Sequence, residues 1–290
     1  MKLTSPWTGI LSFIIVLFMM PLGHAAMILM EKILGHNLLY LAALLLGVIG
    51  VGLLVLGIYS KKEITATFAG LFGGMLVWTG WVEFAYVYYA NRYGVQPLIE
   101  NGEIVTKPEY LIMPSSVGFW AIIMLFYIFS IKSNCVLFTW IQDKLHYGTA
   151  KKAVLDEQQV SRLQPVVRNH AMTTFMEMNI IMWTCYIVLL FVYDERFFGD
   201  HHPVTSIIAF GSLAWSIYLF VKLLKIKKLG YAIRYAIPTV IIFWTFVEIM
   251  GRWDMLKEIW IEPSHYWMEM TVMLVAFVVL SVVLFWKHRK

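Results

Sequence analysis

Long apolar stretches alternate with shorter polar ones along almost the whole chain. Runs long enough to cross about 30 Å of hydrocarbon fall at roughly 7–34, 37–59, 64–90, 111–131, 169–193, 204–224, 229–250 and 266–286. Backbone polar groups in lipid must be satisfied within their own segment, which a helix does. The pattern therefore predicts an all-α, polytopic integral membrane protein with eight transmembrane helices. The longest polar connection, 132–168, divides the chain into a first four-helix half (1–131) and a second (169–290). Within it, residues 135–145 mix Leu137, Phe138, Trp140 and Ile141 with Gln142, Asp143 and Lys144, the pattern of a helix lying at a membrane surface. The first 26 residues mimic a secretory signal, with Lys2 before an apolar run and Gly23-His24-Ala25-Ala26 at its end. We read them as the first transmembrane helix, continuing toward Leu34.

Composition supports this reading. Hydrophobic residues make up 60% of the 290 and charged ones 14%, against about 25% charged in a soluble domain; the mean hydropathy is +0.72. The net charge of +5 reflects loops: Lys2, Lys61, Lys62, the linker 132–168, residues 222–234 and residues 287–290 hold 17 of the 23 Lys and Arg. By the positive-inside rule both termini are cytoplasmic, in a cytoplasmic-type (inner) membrane. No basic helix or aromatic–basic interleaving is present, so no nucleic-acid partner is expected. Cys135 and Cys185 form no CxxC pair.

Two phrases nearly repeat, 165 residues apart. They are Trp78-Thr79-Gly80-Trp81-Val82-Glu83 and Trp244-Thr245-Phe246-Val247-Glu248. A charged side chain deep in a bilayer costs roughly 3 kcal/mol or more, so an intramembrane acid usually faces a protein interior and has a function. Two such acids in one local sequence suggest a duplicated scaffold. Because each half has an even number of crossings, its repeat axis runs along the membrane normal. The order of the following residues agrees (Asn91-Arg92-Tyr93-Gly94, Pro108 and Tyr110 against Gly251-Arg252-Trp253-Asp254, Pro263 and Tyr266), although their spacings differ. A weaker echo, His24 to Glu31 against His170 to Glu177, sits at opposite membrane depths in the two halves.

The candidate chemistry gathers near the outer side. Met20, His24, Met27 and Glu31 share one face of the first helix. Thioether and imidazole suit copper or haem iron; the alternative is that His24 is a hydrogen-bonded interior histidine and the methionines fill helix interfaces. Glu83 and Glu248 are the candidate catalytic acids, and His24 and His170 the candidate cofactor ligands. His24, Glu31, Glu83, Glu248, Glu269 and His265 are the candidate metal set. Its count resembles a four-Glu, two-His di-metal site, but the Glu-x-x-His pairing of such sites is absent. Alternatively Glu83 and Glu248 pair with Arg92 and Arg252 at the interface. Glu177, within the fifth helix, is a proton entry point or a partner of Arg168. His36, His146, His201, His202 and His288 fall in connecting or terminal segments, where solvated surface is expected.

Phosphate-cradling Gly loops, nucleophile elbows, HExxH and desaturase His boxes are all missing. In architecture alone, eight helices in two halves resemble the membrane anchors of respiratory oxidoreductases. The leading expectation is a membrane redox protein or subunit with a His/Glu/Met iron, copper or haem site. A proton- or cation-coupled transporter using the paired Glu residues is the second; Pro21 and Pro238 are the only prolines well inside its spans, fewer breaks than transporter sites use. A non-catalytic anchor subunit is the third. Expected partners are the lipid bilayer, other membrane subunits, and a quinone or small ion.

Overall fold

The computed structural model describes residues 5–100, 103–129 and 169–289; the linker 132–168, its expected interfacial helix and Arg168 lie outside them. Among the described residues, eight helical segments are long and apolar enough to cross a membrane: 6–35, 38–58, 63–93, 108–125, 170–193, 203–223, 229–252 and 267–287. They follow the apolar runs of the sequence to within a few residues.

Helix α1 (Ser5–Ile58) carries the first two candidate spans, broken at Gly35, whose φ of 61° and ψ of 171° leave the helical region. Glycine adopts such a φ without steric cost, so one residue does the work of a loop. The chain reverses there: Gly9 packs on Leu223, and Gly57 packs on Ala171 and Ala69, all at the same end of the bundle. The third span is composite. It runs through α2 (Glu63–Val77), a π-helical turn (Trp78–Glu83) and α3 (Phe84–Tyr93). A short antiparallel hairpin, β1 (Leu98–Glu100) and β2 (Glu103–Thr106), follows. The fourth span is also interrupted, with α4 (Pro108–Ile112), a 3-10 turn (Met113–Ser116) and α5 (Val117–Phe129). Pro114 lies in that turn, where its missing N–H and ring prevent a regular helical bond. The second half contains α6 (His170–Tyr193), α7 (Pro203–Leu223), α8 (Leu229–Arg252) and α9 (Trp267–Arg289).

Burial divides the spans into two sets. The seventh is 78% buried over its most apolar window and the third and fifth 56%, whereas the fourth and eighth are only 17% buried. The odd-numbered spans form an inner ring in which α1 packs on α2, α2 on α6, α6 on α8, and α8 back on α1. The even-numbered spans surround them and turn residues such as Phe119, Ile122, Phe210 and Val275 outward, the apolar exterior a bilayer requires. The core of the ring is rich in methionine: Met20, Met178 and Met182 belong to its main cluster, and Met27 to a smaller one beside Phe84. Met fills irregular gaps between helices, and Met20 packs within this cluster.

The two ends of the bundle differ. At one end lie Lys61, Lys62, Lys225, Lys227 and Lys228 in short connections, and Arg234 reaches from α8 to Glu63 (2.9 Å) and Thr67 (2.9 Å) on α2. There Asn169 caps α6, accepting from the amides of Ala171 and Met172, and its amide group donates to the Ile58 carbonyl at 2.9 Å. At the other end the β1–β2 hairpin, residues 194–202 and residues 253–266 close over the inner ring. We call these the basic end and the hairpin end.

Candidate functional site

On α8 the indole of Trp244 donates to Glu248 Oε1 at 2.6 Å, one α-helical turn away. On the third span the indole of Trp78 donates to Glu83 Oε1 at 2.9 Å, five residues away. The Trp78–Glu83 phrase is one residue longer than the Trp244–Glu248 phrase, and the π-helical turn absorbs that residue: a π turn closes over i to i+5 where an α turn closes over i to i+4. Each Trp therefore holds its Glu in the same way in spite of the insertion. The added length serves packing against the second span. A Cβ on Gly80 would lie 2.6 Å from the Ala43 carbonyl, and the Trp81 indole donates to the Leu44 carbonyl at 3.1 Å.

His24 joins these acids. Its Nε2 lies 2.7 Å from the Tyr186 hydroxyl on α6 and 3.6 Å from Glu248 Oε1, and it stands within electrostatic reach of Glu83. Tyr186 is in turn stacked between Trp78 (5.8 Å, 28°) and Tyr110 (6.2 Å, 4°). All four inner spans thus contribute one polar group to a single cluster. Glu83 is 5% exposed; the side chains of His24 and Glu248 are 13% and 18% exposed. A neutral imidazole accepts the tyrosine proton at Nε2; an imidazolium carries its own proton there, facing a carboxylate. The cluster is built to hold either state.

Three members of the cluster, His24, Tyr186 and Glu248, line a cavity of about 330 Å³ at the hairpin end. Apolar walls come from Met27, Ile28, Leu189, Leu190, Trp260 and Ile261, and polar ones from Tyr110, Tyr193, Lys107, Arg252 and Glu258. At the rim Arg252 Nε bonds Asp200 Oδ2 at 2.7 Å, its Nη1 donates to Thr106 Oγ1 at 2.8 Å, and the guanidinium lies 4.9 Å over the Tyr193 ring. Lys107 Nζ is 3.7 Å from Glu31 and 4.0 Å from Glu109. Glu258 belongs to the closing segment 253–266. Burial, reinforced by the nearby Glu248 carboxylate, raises its pKa to about 7, with His24 and Arg252 opposing.

The sequence-derived candidates separate into two groups. His24, Glu83 and Glu248 come together. Glu31 does not join them and is drawn to Lys107 instead. Glu269 lines a separate, outward-facing crevice with Phe18 and Met273, and the exposed His265 lies edge-on to Tyr266 at 4.6 Å. His170 sits at the basic end, at the start of α6, near Glu63 and Arg234. Among the described residues no three His, Cys, Asp or Glu side chains gather as a metal ion would require. Glu31, Glu269 and His265 lie toward the hairpin end, but their side chains do not converge with His24, Glu83 and Glu248.

The expected arginine pairs are also replaced. Arg252 is committed to Asp200, and Arg92 is exposed at the end of α3, while both acids are held by tryptophan. Glu177 is buried within α6 with one carboxyl oxygen lacking a partner, and Arg234 is the charge that influences it. His202 caps α7 through Nδ1, which accepts from the Val204 amide at 3.2 Å.

Sequence reasoning missed Tyr186, Tyr110, Tyr193, Asp200 and Glu258. Each tyrosine is one of 15 in the chain, so type alone carries no signal. Asp200 and Glu258 lie in polar connections that read as solvent-exposed. No protein-family model, curated protein or solved structure matches this chain.

Proposed function

We propose that the chain is an integral membrane protein that binds a small ligand at its hairpin end and exchanges a proton for it through His24 and Glu248, as a proton-coupled transporter does. The observation that carries this reading is the His24–Tyr186–Glu248 contact lining the cavity and bridging the first, fifth and seventh spans. Intramembrane Glu and His side chains are suited to proton relays, and a cavity of this kind is the usual form of a small-ligand site.

Three further features support it. The third and fourth spans are interrupted beside the cavity, the kind of break by which transporter helices build substrate sites. Glu177 offers a second buried acid lower on α6. The matching Trp–Glu bonds of α8 and the third span support two duplicated halves, 1–131 and 169–290. With basic connections toward the cytoplasm, both termini are cytoplasmic and the cavity opens to the opposite side.

A redox site for a quinone is the second reading. It is favoured by the Trp78–Tyr186–Tyr110 ring stack next to His24. A haem, iron or copper centre has less support, because only His24, Glu83 and Glu248 of its expected ligands approach one another.

The test is reconstitution in vesicles carrying a pH gradient, with internal pH followed as small organic ions are added. Ligand-dependent proton movement that is lost in Glu248→Gln and His24→Gln supports the transport reading. Quinone reduction or an optical cofactor spectrum without ligand-dependent proton movement supports the second.

A further inference from the structure

We propose that the ligand of this cavity is a small organic cation, an ammonium group carrying apolar substituents. The inference rests on the proton-exchange reading and specifies its substrate class. It comes from the charges that the cavity leaves unmatched. The two cations on its wall already have acidic partners: Arg252 bonds Asp200 at 2.7 Å, and Lys107 stands between Glu31 and Glu109. Glu248 and Glu258 face the same space and each other's field. Glu248 has the Trp244 indole and His24 beside it, and neither supplies a permanent positive charge. An anion entering here would meet two carboxyl groups and would have to displace Asp200 or Glu31 from its partner.

Two other features fit a cation. The walls contain Tyr110 and Trp260, and a cation over an aromatic face is attracted by the ring quadrupole, more strongly as it is desolvated. The face of Tyr193 is occupied by Arg252, but its hydroxyl oxygen is buried without a hydrogen-bond partner. Tyr193 also lines the cavity, so that oxygen is an acceptor for a donor or a polarised methyl group of a ligand. Glu258 gets close to the space because Gly251 has no side chain: a Cβ there would lie 2.5 Å from the Glu258 carboxyl carbon.

Coupling follows from competition. A proton and an organic cation each neutralise the same carboxyl groups, so binding of one expels the other. No covalent step is involved. The groups facing Glu258 are Glu248 and Arg252 from α8, His24 from α1, and Asp254 in its own segment.

Phenyltrimethylammonium is the suitable probe because its charge does not change with pH. Its binding to the purified full-length protein in detergent would be measured by calorimetry at pH 5.5 and 8, with benzoate as the anionic counterpart. The proposal expects binding at pH 8 that weakens at least tenfold at pH 5.5, and no comparable binding of benzoate. Glu258→Gln should lower the affinity at pH 8 at least tenfold and flatten its pH dependence. Tyr193→Phe, which removes an unpartnered hydroxyl and no internal bond, should fold normally and weaken binding of the monoprotonated analogue phenylethylamine severalfold. Tighter binding of benzoate, or cation affinity unchanged in both Glu248→Gln and Glu258→Gln, would overturn the assignment. If the cation does not bind while vesicles still show Glu248-dependent proton movement, the substrate class falls and the proton-exchange reading stands. If the cation binds and no proton is released into weakly buffered solution, the substrate class stands and proton exchange falls.

Discussion

Trp78 and Glu83 are bonded across five residues, whereas Trp244 and Glu248 are bonded across four. The one-residue difference is the π-helical turn of the third span. That turn keeps the carboxyl group on the inner face and brings Gly80 and Trp81 against the second span.

Gly80→Ala should therefore separate the second and third spans. Its Cβ would meet backbone atoms, the Ala43 carbonyl and the Gly47 nitrogen, at 2.6 and 2.7 Å, and backbone cannot swing aside as a side-chain tip can. Overpacking of this kind costs about 1–3 kcal/mol. Thermal unfolding in detergent should register a clear drop in Tm, larger than that of Trp81→Phe, which loses one bond to the Leu44 carbonyl.

Tyr186→Phe removes the hydroxyl that contacts His24 Nε2 at 2.7 Å and leaves the Trp78–Tyr110 stack intact. A buried polar atom deprived of its partner costs about 1–3 kcal/mol. The variant should stay folded with a lower Tm, and the titration of His24, followed by NMR of labelled histidine, should move.

At the rim, Arg252→Ala should be among the more damaging substitutions. The Arg252 and Asp200 side chains are 10% and 19% exposed, and removing one partner of a buried pair costs about 3–5 kcal/mol. Arg252→Lys should rescue little, because Nε and Nη1 bond different partners and an ammonium group cannot reproduce that fork. Removing both, with Asp200→Asn added to Arg252→Ala, should recover part of the loss in a double-mutant cycle.

Stability should also depend on pH through Glu258. Its folded-state pKa of about 7 lies above the ordinary 4.5, so the folded protein binds the proton more tightly than the unfolded chain. The resulting stabilisation is complete below about pH 4.5 and is lost as pH rises through about 7; linkage limits it to about 3 kcal/mol. Glu258→Gln should flatten this part of the Tm–pH curve and be more stable than the parent at pH 8.

Much of the fold was legible in the sequence, because a run of some 20 apolar residues reads as a helix long enough to cross a membrane. The positions of the eight candidate spans and the two Trp–Glu phrases follow directly from it. The one-residue difference between those phrases was also on view, and it marks the π turn. The site was only half legible. Helices that are apolar on every side offer no polar stripe to reveal which face turns inward, so Glu31, Glu83, Glu248 and Glu269 read alike by depth. Packing separates them: α8 faces the ring and carries Glu248 inward, while Glu269 lies on the outer α9. Glu258, next to the exposed Lys257, reads as loop surface until the chain folds back and seats its carboxyl group on Gly251.

The central claim is that Glu248, working with His24, gives up a proton as a ligand binds in the cavity, and it is tested most directly by proton release on ligand binding. The pH of a weakly buffered solution of purified protein would be followed as phenyltrimethylammonium is added, in the parent, Glu248→Gln, Glu83→Gln and the double variant. The account predicts proton release as the cation binds, sharply reduced in Glu248→Gln and in the double variant. Near-normal release in both single variants and in the double variant would contradict it.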